Sequence, residues 1–482
     1  MVGHETGERC AAAAEAESPE RIASCSVGLK VSTNDFLQWR ALAPMKAIVR
    51  SVCFKCALVL VFLRFSFLHE TIAFLTGVNP YLLYIFAPLA LIGVVVFGGL
   101  QRTFRWTSSL FWAGFVAWMA LAIPFSSWRG GSLTHVVTFV RTDFVMLLIT
   151  AGLARTWAEC RKLIYAIATA AIFNLGTAHI FVNTASGSRF GMEWKGVIAN
   201  PDDLAAHLLL VLPFLLFIVL KPRTRTIFRL VCAGATVIGL FQILRTGSRG
   251  ALVALLVTIV FVFVRGSARQ RIAVGAIAPV VLAILIGLLP SSTWNRLTSL
   301  SARAGAPEEA VASSEAREYL LKKSIVYTLQ KPLFGVGPGQ FSAYEGESRV
   351  SEGLKGYWHD THNSYTQISS ECGIPALLFY IAAAVETFRQ LGKIRRRAAA
   401  SHQHEIVTAV FCITTGLVAY STAAAFVNFG YRFYFPAISG LVGAMYLAVR
   451  DASRPRSSNC PTAEEPVIAS VDPIEATHPY SS

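Results

Sequence analysis

The chain has 482 residues, of which 54% are hydrophobic and only 15% charged, and its mean hydropathy is +0.52. Soluble domains carry about a quarter charged residues, so this composition excludes a soluble globular protein and points to an all-α polytopic membrane protein. The formal charge of +15 does not indicate a nucleic-acid partner. Lys and Arg sit in short clusters between apolar runs, which is the positive-inside pattern rather than a nucleic-acid face.

Residues 1–45 are rich in Ala, Glu and Ser without hydrophobic periodicity and read as a disordered tail. Met45-Lys-Ala-Ile-Val-Arg50 resembles a natural amino terminus, and the apolar run that follows comes too late for a simple cleavable signal peptide. Stretches long enough to cross a ~30 Å hydrocarbon core number about twelve. They lie near 51–69, 80–99, 107–125, 133–153, 162–183, 203–220, 227–244, 249–265, 271–289, 373–388, 406–428 and 432–449. This divides the chain into a tail (1–45), a membrane region with helices one to nine (46–289), a large polar loop (290–372), a second membrane region with helices ten to twelve (373–450) and a disordered tail (451–482).

The basic clusters at Arg102/Arg105, Arg155/Arg161/Lys162, Lys221/Arg223/Arg225/Arg229, Arg265/Arg269/Arg271 and Lys393/Arg395/Arg396/Arg397 fall in alternate connections. Placing all of them in the cytoplasm puts both termini there too. The segments 184–202, Arg245-Thr-Gly-Ser-Arg-Gly250, 290–372 and Asn428 to Arg432 then face outward, where each Arg asks for a reason.

Nine cysteines are scattered along the chain and define no disulfide framework. Cys53-Phe-Lys-Cys56 has redox spacing, but it opens an apolar run, where packing explains it as well. Arg141 and Asp143 sit inside the fourth apolar segment. They are two residues apart and so do not face each other on a helix, which leaves a functional site in the membrane or a salt bridge to a neighbouring helix.

The outward segments carry the chemistry. Ser186-Gly-Ser-Arg189 and Arg245-Thr-Gly-Ser-Arg249 each set an Arg among small residues just before a helix. Free backbone N–H groups beside a guanidinium suit a phosphate, while snorkelling to the interface is the plainer alternative. Gly335-Val-Gly-Pro-Gly339 is neither a Walker loop nor a dinucleotide fingerprint, and its expected job is to bend the chain back over the membrane surface. His359-Asp-Thr-His-Asn363 has two His three residues apart. A metal there lacks a third strong ligand unless Glu371 folds back, whereas a neutral His can take a proton from an attacking hydroxyl, with a carboxylate such as Asp360 fixing its tautomer.

As a set, Thr246-Gly-Ser-Arg-Gly-Ala251, Pro332-Leu-Phe-Gly-Val-Gly-Pro-Gly-Gln-Phe341 and His362-Asn-Ser-Tyr-Thr-Gln-Ile-Ser-Ser-Glu-Cys-Gly373 resemble the O-antigen ligase and polymerase superfamily of bacterial surface-polysaccharide enzymes. The likeness spans roughly residues 180–390, and Thr366 stands where the family usually has Leu. It implies a GT-C-like bundle in the inner membrane with its active site on the large periplasmic loop. The implied reaction is metal-independent and needs no cofactor. It passes a glycan from undecaprenyl diphosphate to a second glycan, to lipid A-core or, in some members, to protein.

On that resemblance His362 is the base, Arg189 and Arg317 are catalytic, and Arg189, Arg249 and Arg317 hold the diphosphate. Asp360, His359 and Asn363 support His362. Guanidinium groups fit this role physically, because they pair with phosphate oxygens in a bidentate way and stay charged. The rival reading is a transporter or lipid-linked-sugar flippase, which concentrates polar and broken-helix features near the midplane. Here those features gather in outer segments. A membrane scaffold is a third reading, and it leaves the His-Asn segment unexplained.

Overall fold

The computed structural model describes residues 33–181, 189–192, 196–198, 200–298 and 308–452. The expected tails at 1–32 and 453–482 lie outside these residues, as does Ser186-Gly-Ser188. The described residues form eighteen α-helices in chain order. These are α1 Thr33–Ser66, α2 Leu68–Thr76, α3 Leu82–Val96, α4 Gly99–Thr103, α5 Thr107–Ala122, α6 Arg129–Phe139, α7 Val145–Leu153, α8 Trp157–Ile180, α9 Pro201–Leu220, α10 Thr226–Arg245 and α11 Arg249–Arg265. They continue with α12 Ala268–Gly287, α13 Ser291–Thr298, α14 Glu308–Gln330, α15 Phe341–Ser351, α16 Ser364–Ala400, α17 His404–Ala423 and α18 Tyr434–Ala452.

Helix starts follow from local chemistry. Thr156 and Glu159 form a reciprocal capping box ahead of α8, and Ser267 with Gln270 does the same for α12. Asn200 caps α9, with Pro201 at the first helical position, where its missing N–H costs nothing.

Among the described residues, seven helices are long and apolar enough to cross a membrane, or eight if α1 from Met45 and α2, bent by 66°, count as one span. The chain is therefore an all-helical, multi-pass membrane protein. Two boundaries differ from the sequence reading. α1 begins at Thr33, so residues 33–45 are helical rather than disordered; the stretch Leu37 to Leu42 is made largely of good helix formers. The helix expected from 373 does start at the break at Gly373, but a further helical stretch from Ser364 precedes it, which hydropathy cannot register because its turns are polar.

One extended core runs through the bundle. Trp112 and Phe115 of α5 pack with Tyr380 of α16 and Phe139 of α6, and Phe435 of α18 closes on Trp112. The ion pairs Arg50–Glu159, Arg161–Glu405 and Lys221–Glu405 gather the predicted basic connections at one end of the molecule. In the interior Asp143 pairs with Arg64 of α1 at 2.9 Å, while Arg141 lies over the Tyr84 ring. Both occupy a π-turn, Val140–Phe144, between α6 and α7. Cys53 and Cys56 are buried free thiols, and Cys53 packs against Gly93.

The described residues of the segment 290–372 are themselves folded. α14 and α15 enclose a small core of Leu320, Tyr327, Val336 and Phe341. Inside it the buried Glu345 accepts hydrogen bonds from the Tyr319 and Tyr327 hydroxyls, 2.5 Å each.

The Gly-rich stretch 335–339 fastens this unit to α16 by an exchange of backbone bonds. Pro375 has no N–H and cannot serve the carbonyl four residues earlier, so the Glu371 carbonyl accepts from Gly337 instead. The Ser370 carbonyl accepts from Val336, while the Ile374 N–H turns to Pro332. The break this needs is at Gly373, with φ +81° and ψ 173°. A Cβ there would stand 2.0 Å from the Leu333 carbonyl oxygen. Gly373→Ala is accordingly expected to destabilise the protein by about 3 kcal/mol or more. An unchanged thermal midpoint in detergent would contradict this account of the break.

Candidate active site

The site is built where α9, α11 and α14 begin or pass one another. α9 opens with Asn200-Pro-Asp-Asp203, and the Asp202 carboxylate is buried. Two arginines converge on it: Arg189 Nη2 donates to one oxygen at 2.7 Å and Arg317 Nη2 to the other at 2.5 Å. The Ser248 hydroxyl also donates to Asp202.

Arg189 is held further by its Nε, which donates to the Thr246 carbonyl at 3.0 Å. Gly247, at φ +62°, makes the turn from α10 into α11, and Ser248 caps α11 by accepting from the Ala251 N–H. Arg249 sits one layer out, its Nε donating to the Arg296 carbonyl. Burial, and then repulsion from Arg189, hold the Arg296 guanidinium below its ordinary range, with Asp202 offsetting part of this. Four guanidiniums thus share one region, and Asp202 is the carboxylate that ties two of them down.

His362 lies beside this cluster. Its φ of +51° is a left-handed backbone conformation, in which His is enriched but which remains uncommon. Burial and then the positive charge of Arg317 depress its pKa below the usual histidine range, partly offset by Asp360 and Asp202. The imidazole therefore stands as a neutral base near pH 7.

The three supporting residues take different places. Asn363 caps α16, its Oδ1 accepting from the Tyr365 and Thr366 N–H groups. Asp360 is exposed and accepts from Asn428 Nδ2 at 2.6 Å, and no hydrogen bond joins it to His362 among the described residues. His359 is exposed and packs on the Tyr357 ring. Glu371 does not fold back towards the two histidines. Its carboxylate accepts from the Gly339 and Phe341 N–H groups and so secures the Gly-rich stretch.

A cavity of about 330 Å³ opens next to Asp360, lined by Gln367, Glu371, Asn428, Tyr431, Arg432 and His135 among others. Sequence reading missed Asp202, Ser248, Arg296 and this chamber. The available signal was Asp202 itself, since a carboxylate at the head of an apolar helix is costly unless paired. Two other ionisable residues need no function. His207 is a buried core histidine, hydrogen-bonded to Asn174 and Tyr434, and Glu386 is paired by Arg389 and Lys393.

Asp202 acts as a template: it aligns Arg189 and Arg317 before any ligand arrives. Asp202→Asn removes the charge that both arginines grip. Because hydrogen bonds to charged groups are worth about 1.5–3 kcal/mol, kcat/KM for the anionic substrate should fall roughly ten- to hundredfold. Kinetics equal to wild type would remove Asp202 from the arrangement.

Two partly buried arginines converging on a buried carboxylate at the head of a multi-pass helical bundle, beside a histidine held neutral, form a site that suits an anion. The family model described as O-Antigen ligase (Wzy_C) matches residues 234–381, and this match supports a relation to the O-antigen ligase-related superfamily. The match supports a glycosyl-transferring membrane enzyme of the ligase or polymerase type, in polysaccharide or lipopolysaccharide assembly. The matched stretch includes Arg249, Arg317 and His362, while Arg189 and Asp202 precede it. No curated protein matches the chain.

Proposed function

We propose that the chain transfers a glycan from undecaprenyl diphosphate to an acceptor hydroxyl on lipid A-core or on a second glycan. The reaction takes place at the periplasmic face of the bacterial inner membrane. The observation that carries this reading is the convergence of Arg189 and Arg317 on one buried carboxylate, with His362 alongside. The seven or eight membrane-length helices, within the about twelve apolar segments of the sequence, and the position of the site at the head of the bundle suit a GT-C-like arrangement.

In the proposed step the acceptor oxygen attacks the anomeric carbon from the face opposite the diphosphate. Its proton passes to His362, and the bond from the anomeric carbon to the diphosphate oxygen breaks, its electron pair leaving with undecaprenyl diphosphate. The configuration inverts. The negative charge building on the leaving group is met by Arg189, Arg317 and Arg249, fixed cations that need no reorganisation at the moment of reaction.

Two cavities support the assignment of sides. Below the arginines lies an apolar groove of about 220 Å³, walled by Leu209, Leu212, Leu244, Leu255 and Leu285. Leu209 lies about two helical turns along α9 from Asp202. An isoprenoid tail placed there leaves its diphosphate at Arg189 and Arg317. The polar chamber beside Asp360 offers amide, carboxylate and guanidinium groups suited to sugar hydroxyls.

Purified protein offered carrier-linked oligosaccharide together with lipid A-core and a second carrier-linked repeat, in parallel, tests the reading. Product on lipid A-core identifies a ligase and lengthened carrier-linked glycan a polymerase. If neither forms while labelled carrier lipid crosses the bilayer of proteoliposomes, the chain is a flippase.

A further inference from the structure

The end of the bundle away from the arginine–aspartate site carries a further cavity. α11 begins at Arg249, near that site, and its other end lies about 24 Å away by helical rise. There α11, α16 and α17 enclose a space of about 550 Å³. Phe261, Phe388, Phe411 and Val418 contribute apolar wall, and three arginines, Arg265, Arg395 and Arg396, converge on the same space.

The partners of the surrounding charges are accounted for. Glu386 is taken by Arg389 and Lys393, Glu405 by Arg161 and Lys221, and Arg397 lies over the Tyr446 ring. The last carbonyls of α11 are served by Arg271, which donates to Val264 and Gly266, so Arg265 is not needed there. Arg265, Arg395 and Arg396 are exposed, and none makes an ion pair or side-chain hydrogen bond among the described residues. A helix dipole explains one basic residue in a last turn. It does not explain guanidiniums from two helices meeting over an aromatic-walled cavity.

We propose that this cavity is a binding site for an anionic phospholipid, whose phosphate is held by Arg265, Arg395 and Arg396 and whose acyl chains lie along Phe261, Phe388 and Phe411. Guanidinium groups match phosphate oxygens in bidentate fashion, and basic pockets between membrane helices on the cytoplasmic side suit such headgroups. Charge complementarity selects this occupant: a zwitterionic lipid brings its own ammonium into a site that already holds three cations. The site is separate from the transfer reaction, and its test does not depend on it.

The test is native mass spectrometry of the purified full chain in neutral detergent, with cardiolipin and phosphatidylethanolamine offered in equal amounts. We expect cardiolipin to be retained at least tenfold over phosphatidylethanolamine. The triple variant Arg265→Gln, Arg395→Gln, Arg396→Gln should lose that preference, whereas Arg389→Gln with Lys393→Gln should keep it. Equal retention of the two lipids by the wild type overturns the proposal, whether or not the triple variant folds. So does a preference unchanged in a folded triple variant. Displacement of the lipid by millimolar inorganic phosphate would reduce the feature to a free-anion site and also overturn it.

Discussion

His362→Ala is expected to lower glycan transfer by about 10²–10⁴-fold, the usual worth of a positioned general base, while the protein stays inserted and folded. The side chain makes no hydrogen bond among the described residues that would tie it into the structure, and the helix cap beside it is supplied by Asn363. Loss of the imidazole should therefore cost little stability. A pH profile separates a base from a spacer. Burial and Arg317 hold the histidine below its ordinary range, so the base form predominates at neutral pH, and transfer should fall only as pH drops below the usual histidine range. The alanine variant should lack this acid limb. Near-normal transfer by His362→Ala, or an unchanged acid limb in its residual activity, would remove His362 from the chemistry.

Arg317→Lys is expected to lower kcat by about 10²–10³-fold, in the range found when one preorganised donor to a developing negative charge is lost. Lysine keeps the charge but not the planar fork, which here reaches Asp202 from α14 while Arg189 holds the opposite carboxylate oxygen. A second variant reads the coupling to His362. Arg317→Gln removes the cation that helps depress the histidine, so the acid limb should move to higher pH. Arg317→Lys should leave it nearly in place. Wild-type kinetics for Arg317→Lys would mean a solvated surface arginine, and an acid limb unmoved by Arg317→Gln would separate that arginine from the base.

Much of the bundle was legible because burial in lipid demands apolar runs: α5, α8, α9, α10 and α17 lie close to where hydropathy sets them. The polar helices were not. α13, α14 and α15 are amphipathic or polar elements, α14 and α15 folding on a small core of their own, and a hydropathy window registers them only as loop. The start of α16 was hidden for the same reason, although Asn363 is a standard capping residue and could have marked it.

In the site, Arg189, Arg317 and His362 stood out as cations and a titratable ring in segments expected to face outward. Their common neighbour Asp202 did not, since its contact with Arg317 joins residues 115 positions apart. Asp360 was legible as a carboxylate near His362, but its bond to Asn428 depends on a loop from the far end of the chain. Pairwise geometry of this kind is set by packing, and one sequence carries no trace of it.

The most direct test of the central claim is a single-turnover reaction in detergent. It combines purified protein, labelled undecaprenyl-diphosphate-linked oligosaccharide, an acceptor glycan and a metal chelator. Undecaprenyl diphosphate should appear in step with transferred glycan, inverted at the anomeric carbon, and both should vanish together in His362→Ala. Release of the carrier without glycosidic product, or transfer that proceeds unchanged in the variant, would contradict the assignment of this site as the place where the glycan changes hands.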